Sequence, residues 1–257
     1  MNNLLRSDAY HMYRKKWIWL CVAAMVLITI AFCVMQYTAM DYSVTVDRVI
    51  FLSMTFFGIA VAALISIYAG EDYSDGVIKN KIISGHSRRT IYLSKYIVGL
   101  TACVVVYLFT LMVSIPIGVH YFEVNVTTGE IIKFVILGVF TCLAYGSIYF
   151  MITMITGNKS VAVAICMALA FAMLFLSLNI NSSLVQEEYK DGILNPHYVG
   201  GAKRLLYEFL FDLNPTGQVA QLSQMKCLSP IRFVLVDLLW VLLSCVTGVF
   251  FFKKKDI

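Results

Sequence analysis

Six stretches of this chain are apolar over enough residues to cross a lipid bilayer, and nothing else in the sequence limits the fold so strongly. They are residues 17–35, 50–69, 96–119, 131–155, 161–178 and 231–252. A helix needs ~20 residues, at ~1.5 Å each, to cross ~30 Å of hydrocarbon. Hydrocarbon offers no water to the backbone, so only helices and closed barrels span it. The strict alternation of a barrel strand is absent. Charged residues make up 14% of the chain, against the ~25% usual in soluble domains. The expectation is an all-α polytopic membrane protein, with six transmembrane helices in a single domain over 1–257.

Basic residues set the orientation. With the N-terminus inside, one side holds Arg6, Arg14, Lys15, Lys16, Lys79, Lys81, Arg88, Arg89, Lys95, Lys159, Lys253, Lys254 and Lys255. The other side holds only Arg48, Lys133, Lys190, Lys203, Arg204, Lys226 and Arg232, spread over more residues. Both termini are therefore expected in the cytoplasm. The net charge of +5 follows from this topology and gives no support to nucleic-acid binding. The first apolar run is too long for the core of a signal peptide, lacks a small-x-small cleavage site and precedes five more spans.

Between the second and third spans lies one polar stretch, 71–95, EDYSDGVIKNKIISGHSRRTIYLSK. It reads as about two short helices. Glu71, Asp72 and Asp75 come early and Lys79 and Lys81 later, the order that suits one helix dipole. Ser84-Gly85 offers a stop, and Ser87 a cap for the helix that continues into the membrane.

The pattern Glu71, Gly76, Asn80, Ile83, Gly85, Ser87-Arg88, Tyr92 and Lys95 resembles the signature loop of ABC type 2 exporter permeases. In that family the loop after the second span carries a coupling helix that docks in a groove of the ATPase subunit. The resemblance implies an ATPase-coupling set of Glu71, Asp72, Tyr73, Asp75, Gly76, Val77, Ile78, Lys79, Asn80, Ile82, Gly85 and Arg88. Tyr73, Val77, Ile78 and Ile82 would be its packing side, with Glu71, Asp75, Lys79 and Arg88 orienting it by charge. The opening LLRSDAYHMYRKKWIW is similar to the family's N-terminal connecting helix. The resemblance further implies a permease subunit in a bacterial cytoplasmic membrane, paired with a second permease half and two ATPase subunits. ATP and Mg would be bound by those partners and no cofactor by this chain. Cargo of the amphipathic-peptide, bacteriocin-immunity or phenol-soluble-modulin type fits, and small hydrophobic drugs and sodium ions stay open.

The remaining features are weighed against plainer readings. Residues 1–16 place Leu4, Leu5, Ala9, Met12 and Tyr13 on one face and Arg6, His11, Arg14 and Lys15 largely opposite, an interfacial helix with its apolar side toward lipid. Gly58, Ala62, Ser66 and Gly70 form a small-residue stripe for a close helix contact, either within the chain or between subunits. Pro116 permits a kink near the outer end of the third span. The link 156–160, TGNKS, has Asn158 where a phosphate loop needs its second glycine, so nucleotide chemistry must come from another polypeptide. The outer segment 179–230 contains an amphipathic helix over 202–213, closed by Asn214-Pro215-Thr216-Gly217. Sequons at Asn125 and Asn181 are expected in outer loops. The seven cysteines form no metal or disulfide pattern. Glu187-Glu188 lacks the arginine of an intramembrane protease motif, since Gly192 stands in its place. Asp237, inside the sixth span, supports an alternative: an ion- or proton-coupled secondary transporter using that carboxylate. A non-transporting scaffold is the third reading.

Overall fold

The computed structural model describes residues 2–39, 44–186, 188–190, 193–195, 198–227 and 229–255. In chain order it contains α1 (Asn2–Arg14), α2 (Lys16–Ala39), two 3-10 turns (Val46–Arg48 and Leu52–Phe56), α3 (Phe57–Ser74), α4 (Val77–Ile83), α5 (Arg88–Tyr121), α6 (Thr128–Thr156), α7 (Lys159–Leu184), a two-residue hairpin of β1 (Tyr189–Lys190) and β2 (Ile193–Leu194), α8 (Gly201–Leu213), α9 (Pro215–Ser223) and α10 (Pro230–Lys254). Six helical segments are long and apolar enough to span a membrane, as expected. The inner ones are those containing α3, α5 and α6, while α2, α7 and α10 turn most of their surface outward. Glu187 and Gly192, and part of the loop after α2, lie outside the described residues.

Helix boundaries differ from the hydropathy reading where polar side chains bond back to their own helix. The helix expected to stop at 178 runs on to Leu184, because Asn179 donates to the Phe175 carbonyl and Ser182 and Ser183 donate to the Asn179 carbonyl. Asn181 is thus helical and not in a loop. The second span departs the other way. Residues 46–56 form 3-10 and other turns in place of regular helix; Val46 N–H bonds the Glu123 carbonyl and Asp47 N–H the Asn125 side chain, while Arg48, Val49, Ile50, Leu52 and Met54 bond carbonyls three or four residues back. Irregular backbone at membrane depth is tolerated where protein covers it, and Val46, Phe51, Ser53 and Met54 are buried. Pro116 lies within α5, which continues past it to Tyr121.

What covers those turns is the main departure from the sequence reading. Asn214-Pro215-Thr216-Gly217 does not simply close α8. It starts a second, buried helix, α9, with Asn214 as N-cap, its side chain accepting from Thr216 N–H, and Pro215 in the first turn. Helix α9 inserts among α6, α7 and the 3-10 turns, and Pro215, Thr216, Gly217, Gln218, Val219, Gln221 and Leu222 are all buried. Asn214 Nδ2 also donates to the Met173 carbonyl of α7, 2.9 Å away. The small-residue stripe is filled within the chain: a Cβ at Gly58 would lie 2.9 Å from the Tyr145 ring, and one at Gly70 would lie 2.9 Å from Lys159 Cα.

The α8–α9 turn is tight enough to test. A Cβ on Gly217 would sit 2.1 Å from the Phe211 carbonyl oxygen, a backbone atom that cannot rotate aside. Gly217→Ala is expected to destabilise the protein by about 1–3 kcal/mol through overpacking. Gly129→Ala, which meets nothing within 4 Å, is the control. Thermal unfolding in detergent should separate the two variants, and equal melting temperatures would contradict the packing described.

Candidate functional site

Helix α1 and residues 253–255 lie at one end of the bundle, here called the terminal end. There α1 crosses α5, and α4 joins α3 to α5. The seven residues of α4 are set off by two glycines in the left-handed region, Gly76 at φ 67° and Gly85 at φ 86°. Gly85 N–H bonds the Ile82 carbonyl and His86 N–H the Lys81 carbonyl, the paired closure that a glycine just past a helix C-terminus provides. Ser87 then caps α5, accepting from Thr90 N–H. The expected stop and cap are therefore in place.

The acids at the start of the stretch are not where the dipole argument puts them. Helix α3 continues to Ser74, so Glu71 and Asp72 occupy its C-terminal turn, where a negative charge is disfavoured by about 0.3–1 kcal/mol. Cations from other elements outweigh this. Glu71 bridges Lys15 (2.5 Å) and Lys159 (3.1 Å), tying the α1–α2 junction and the α6–α7 turn to α3. Asp72 pairs with Lys95 of α5. Lys95 also stands 3.9 Å from Asp8 of α1 and 4.9 Å above the Tyr68 ring centre. Asp8 in turn pairs with Lys81 of α4 and accepts from Ser94 Oγ at 2.6 Å.

Two carboxylates and two ammoniums thus balance in one cluster joining α1, α3, α4 and α5. Asp8 and Lys95 are each only 2% exposed. A pocket of ≈ 290 Å³ opens beside them, lined by Asp8, Tyr68, Asp72, Val77, Lys81 and Lys95 among others. Sequence reasoning missed Asp8, although Leu4, Asp8 and Met12 share one helical row at i, i+4 spacing. A carboxylate in the middle of an apolar row cannot face lipid cheaply. Accordingly, α1 lays that face on the protein: Leu4 and Met12 are buried, and Leu5, Ala9 and Tyr13 pack against the core. The expectation of a helix with its apolar side toward the membrane is corrected by this contact.

A second network closes the same end with cations on helix C-termini. Arg88 donates to the carbonyls of Lys253 (3.1 Å) and Lys255 at the end of α10. Lys255 donates to those of Met154 (3.3 Å) and Ile155 (2.7 Å) at the end of α6. Desolvation there holds the Lys255 ammonium below the ordinary lysine pKa. Tyr73 Oη donates to the Met154 carbonyl at 2.8 Å, and Lys255 Nζ lies 4.6 Å above the Tyr73 ring centre. In the 156–160 link, Gly157 is the left-handed terminator of α6 and Asn158 caps α7. Its Gly, Asn and Ser residues therefore serve helix ends.

The twelve residues expected in the coupling set fall into two groups. Glu71, Asp72, Tyr73 and Arg88 are engaged inside the chain as described, Ile78 is 1% exposed in the core, and Ile82 packs against that core. Asp75, Lys79, Asn80 and Gly85 are exposed, with Gly76 and Val77 partly so. Ile83, which belongs to the quoted pattern but not to the twelve, is 74% exposed. It is the large apolar side chain that α4 presents outward.

Residues 5–194 match the family model described as ABC-2 family transporter protein. No curated protein is matched by the chain.

The buried cluster makes a specific prediction. Lys95→Met leaves Asp72 without its cation in a site closed to water, a loss of about 3–5 kcal/mol when one partner of a buried pair is removed. Asp72→Asn/Lys95→Met removes both charges and keeps Asp8 with Lys81, so much of that stability should return. Unfolding in detergent reads the difference, and a double variant as unstable as the single would contradict the pairing.

Proposed function

The chain belongs to the ABC-2 family of transporter membrane proteins, and on that premise we propose that it is the permease subunit of an ATP-driven exporter whose ATPase docks on α4. The observation that carries this is the two-sided character of α4. One side is fixed to the chain's own frame through Ile78 and the Lys81–Asp8 pair. The other presents Lys79, Asn80 and Ile83 to the outside. The left-handed glycines let the short helix stand apart from α3 and α5. The terminal end is the cytoplasmic end, in keeping with the thirteen basic residues assigned there by sequence, and the membrane is that of a bacterial cytoplasm.

Two ATPase subunits and a second permease half, identical or related, complete the transporter. ATP and Mg are held by the ATPases. Their closure moves α4, and the ion cluster carries that movement to α1, α3 and α5, favouring a conformation open to the outside. Lipid-like or amphipathic cargo, such as a membrane-active peptide, suits spans whose outward faces carry Met112, Phe171, Phe175 and Leu178.

Co-purification with an ATPase encoded beside this protein tests the proposal. Ile83→Asp changes an exposed residue and should leave folding intact while weakening association at least about tenfold, the equivalent of ~1.4 kcal/mol. Ile78→Asp buries a charge in the protein's own core and should instead lower its melting temperature. Undiminished association and ATPase activity in Ile83→Asp would count against docking on this face.

A further inference from the structure

The far end of the bundle, opposite α1 and α4, holds an acid that neither the ion cluster nor docking on α4 uses. Asp237 projects from α10, is 0% exposed, and neither carboxyl oxygen has a hydrogen-bond partner. None of the ion pairs among the described residues includes it. Arg232, the basic residue toward the start of its own helix, is engaged by Asp212 at the end of α8. The polar side chains beside Asp237 are Gln218 of α9 and Thr141 of α6, and the titratable ones are Cys142 and Tyr145 of α6, both neutral at ordinary pH.

Gln218 Nε2 donates to the Asp212 carbonyl at 2.9 Å, which fixes the amide and leaves Oε1 toward Thr141. The single Thr141 hydroxyl proton serves the Leu137 carbonyl (3.3 Å) or Gln218 Oε1 (3.4 Å). Tyr145 Oη is held by Thr216 Oγ1 at 2.6 Å. Acceptor capacity therefore remains at Gln218 Oε1 and Thr141 Oγ1, against one remaining N–H of Gln218 Nε2 as donor. An ionised carboxylate only accepts, whereas a carboxylic acid brings a donor of its own. Burying an unpaired carboxylate in hydrocarbon also costs far more than burying the neutral acid.

We propose that Asp237 is a proton-binding site, occupied at neutral pH, whose carboxylic acid O–H donates to Gln218 Oε1 or Thr141 Oγ1 and thereby latches the inserted helix α9 to α6 and α10. The proton comes from water and returns to it, with no other reactant. Ionisation would leave a buried negative charge with no cation paired to it and loosen α9. Because the latch needs its proton, it weakens as pH rises.

The test uses the purified full chain in lipid nanodiscs. Infrared spectra at neutral pH should contain a protonated-carboxyl C=O band that disappears in Asp237→Asn. That variant keeps a neutral group of the same shape with a donor, so it should fold with a melting temperature close to wild type. Raising the pH should lower the wild-type melting temperature more than that of Asp237→Asn. Absence of the band in folded wild type, failure of Asp237→Asn to fold, or identical pH profiles would each overturn the proposal. None of these readouts involves the ATPase, so they stand apart from docking on α4.

Discussion

Lys95 is an ammonium almost sealed from water, and the organisation of the terminal end depends on how it is neutralised. Removing such a charge from water costs several kcal/mol, recovered only when carboxylates stand close and in good geometry. Asp72 and Asp8 meet that requirement, and they come from two different helices, α3 and α1. The need to neutralise one side chain on α5 thus sets where α1 lies and how far α3 extends. Through Lys81 it also fixes how α4 is carried. Apolar packing by Leu4, Met12 and Ile78 is compatible with several small rotations of these helices. The charges select one.

The six spans were legible because their cause is local: a run of apolar residues long enough for hydrocarbon needs no tertiary information. The Gly85 stop and the Ser87 cap were legible for the same reason, each being settled within four residues. The placement of Glu71 and Asp72 was not, since the local dipole rule is outweighed by lysines 23 to 88 positions away in sequence. Likewise, α9 carries little apolar periodicity of its own. Its polar side chains are matched one by one by Met173, Asp212, Thr141 and Tyr145, and composition alone reads such a segment as loop. The polar connector 71–95 was legible as a stretch, but which of its residues face outward depended on where the core lay. Ile78 and Ile83 are similar in kind and opposite in role.

The two ends of the bundle solve the same electrostatic problem differently. At the terminal end, buried charge is balanced by opposite charge, which makes the joint strong and directional. At the far end, the Arg232–Asp212 pair is joined by neutral hydrogen bonds, from the tyrosine–threonine pair and the amide of Gln218. Neutral contacts can be exchanged for water at small net cost.

Helix α5 joins the two regimes. Its 34 residues amount to a strut about 51 Å long. Near one end it carries Lys95, and near the other Gly118 touches Ile50 beside the 3-10 turns. A rigid rod of that length converts angle into travel: a tilt of about 5° about one end sweeps the opposite end through about 4 Å, on the scale of known helix ratchets. Displacements too small to break any contact around Lys95 are therefore large enough, at the other extremity, to carry a side chain out of one groove and into the next.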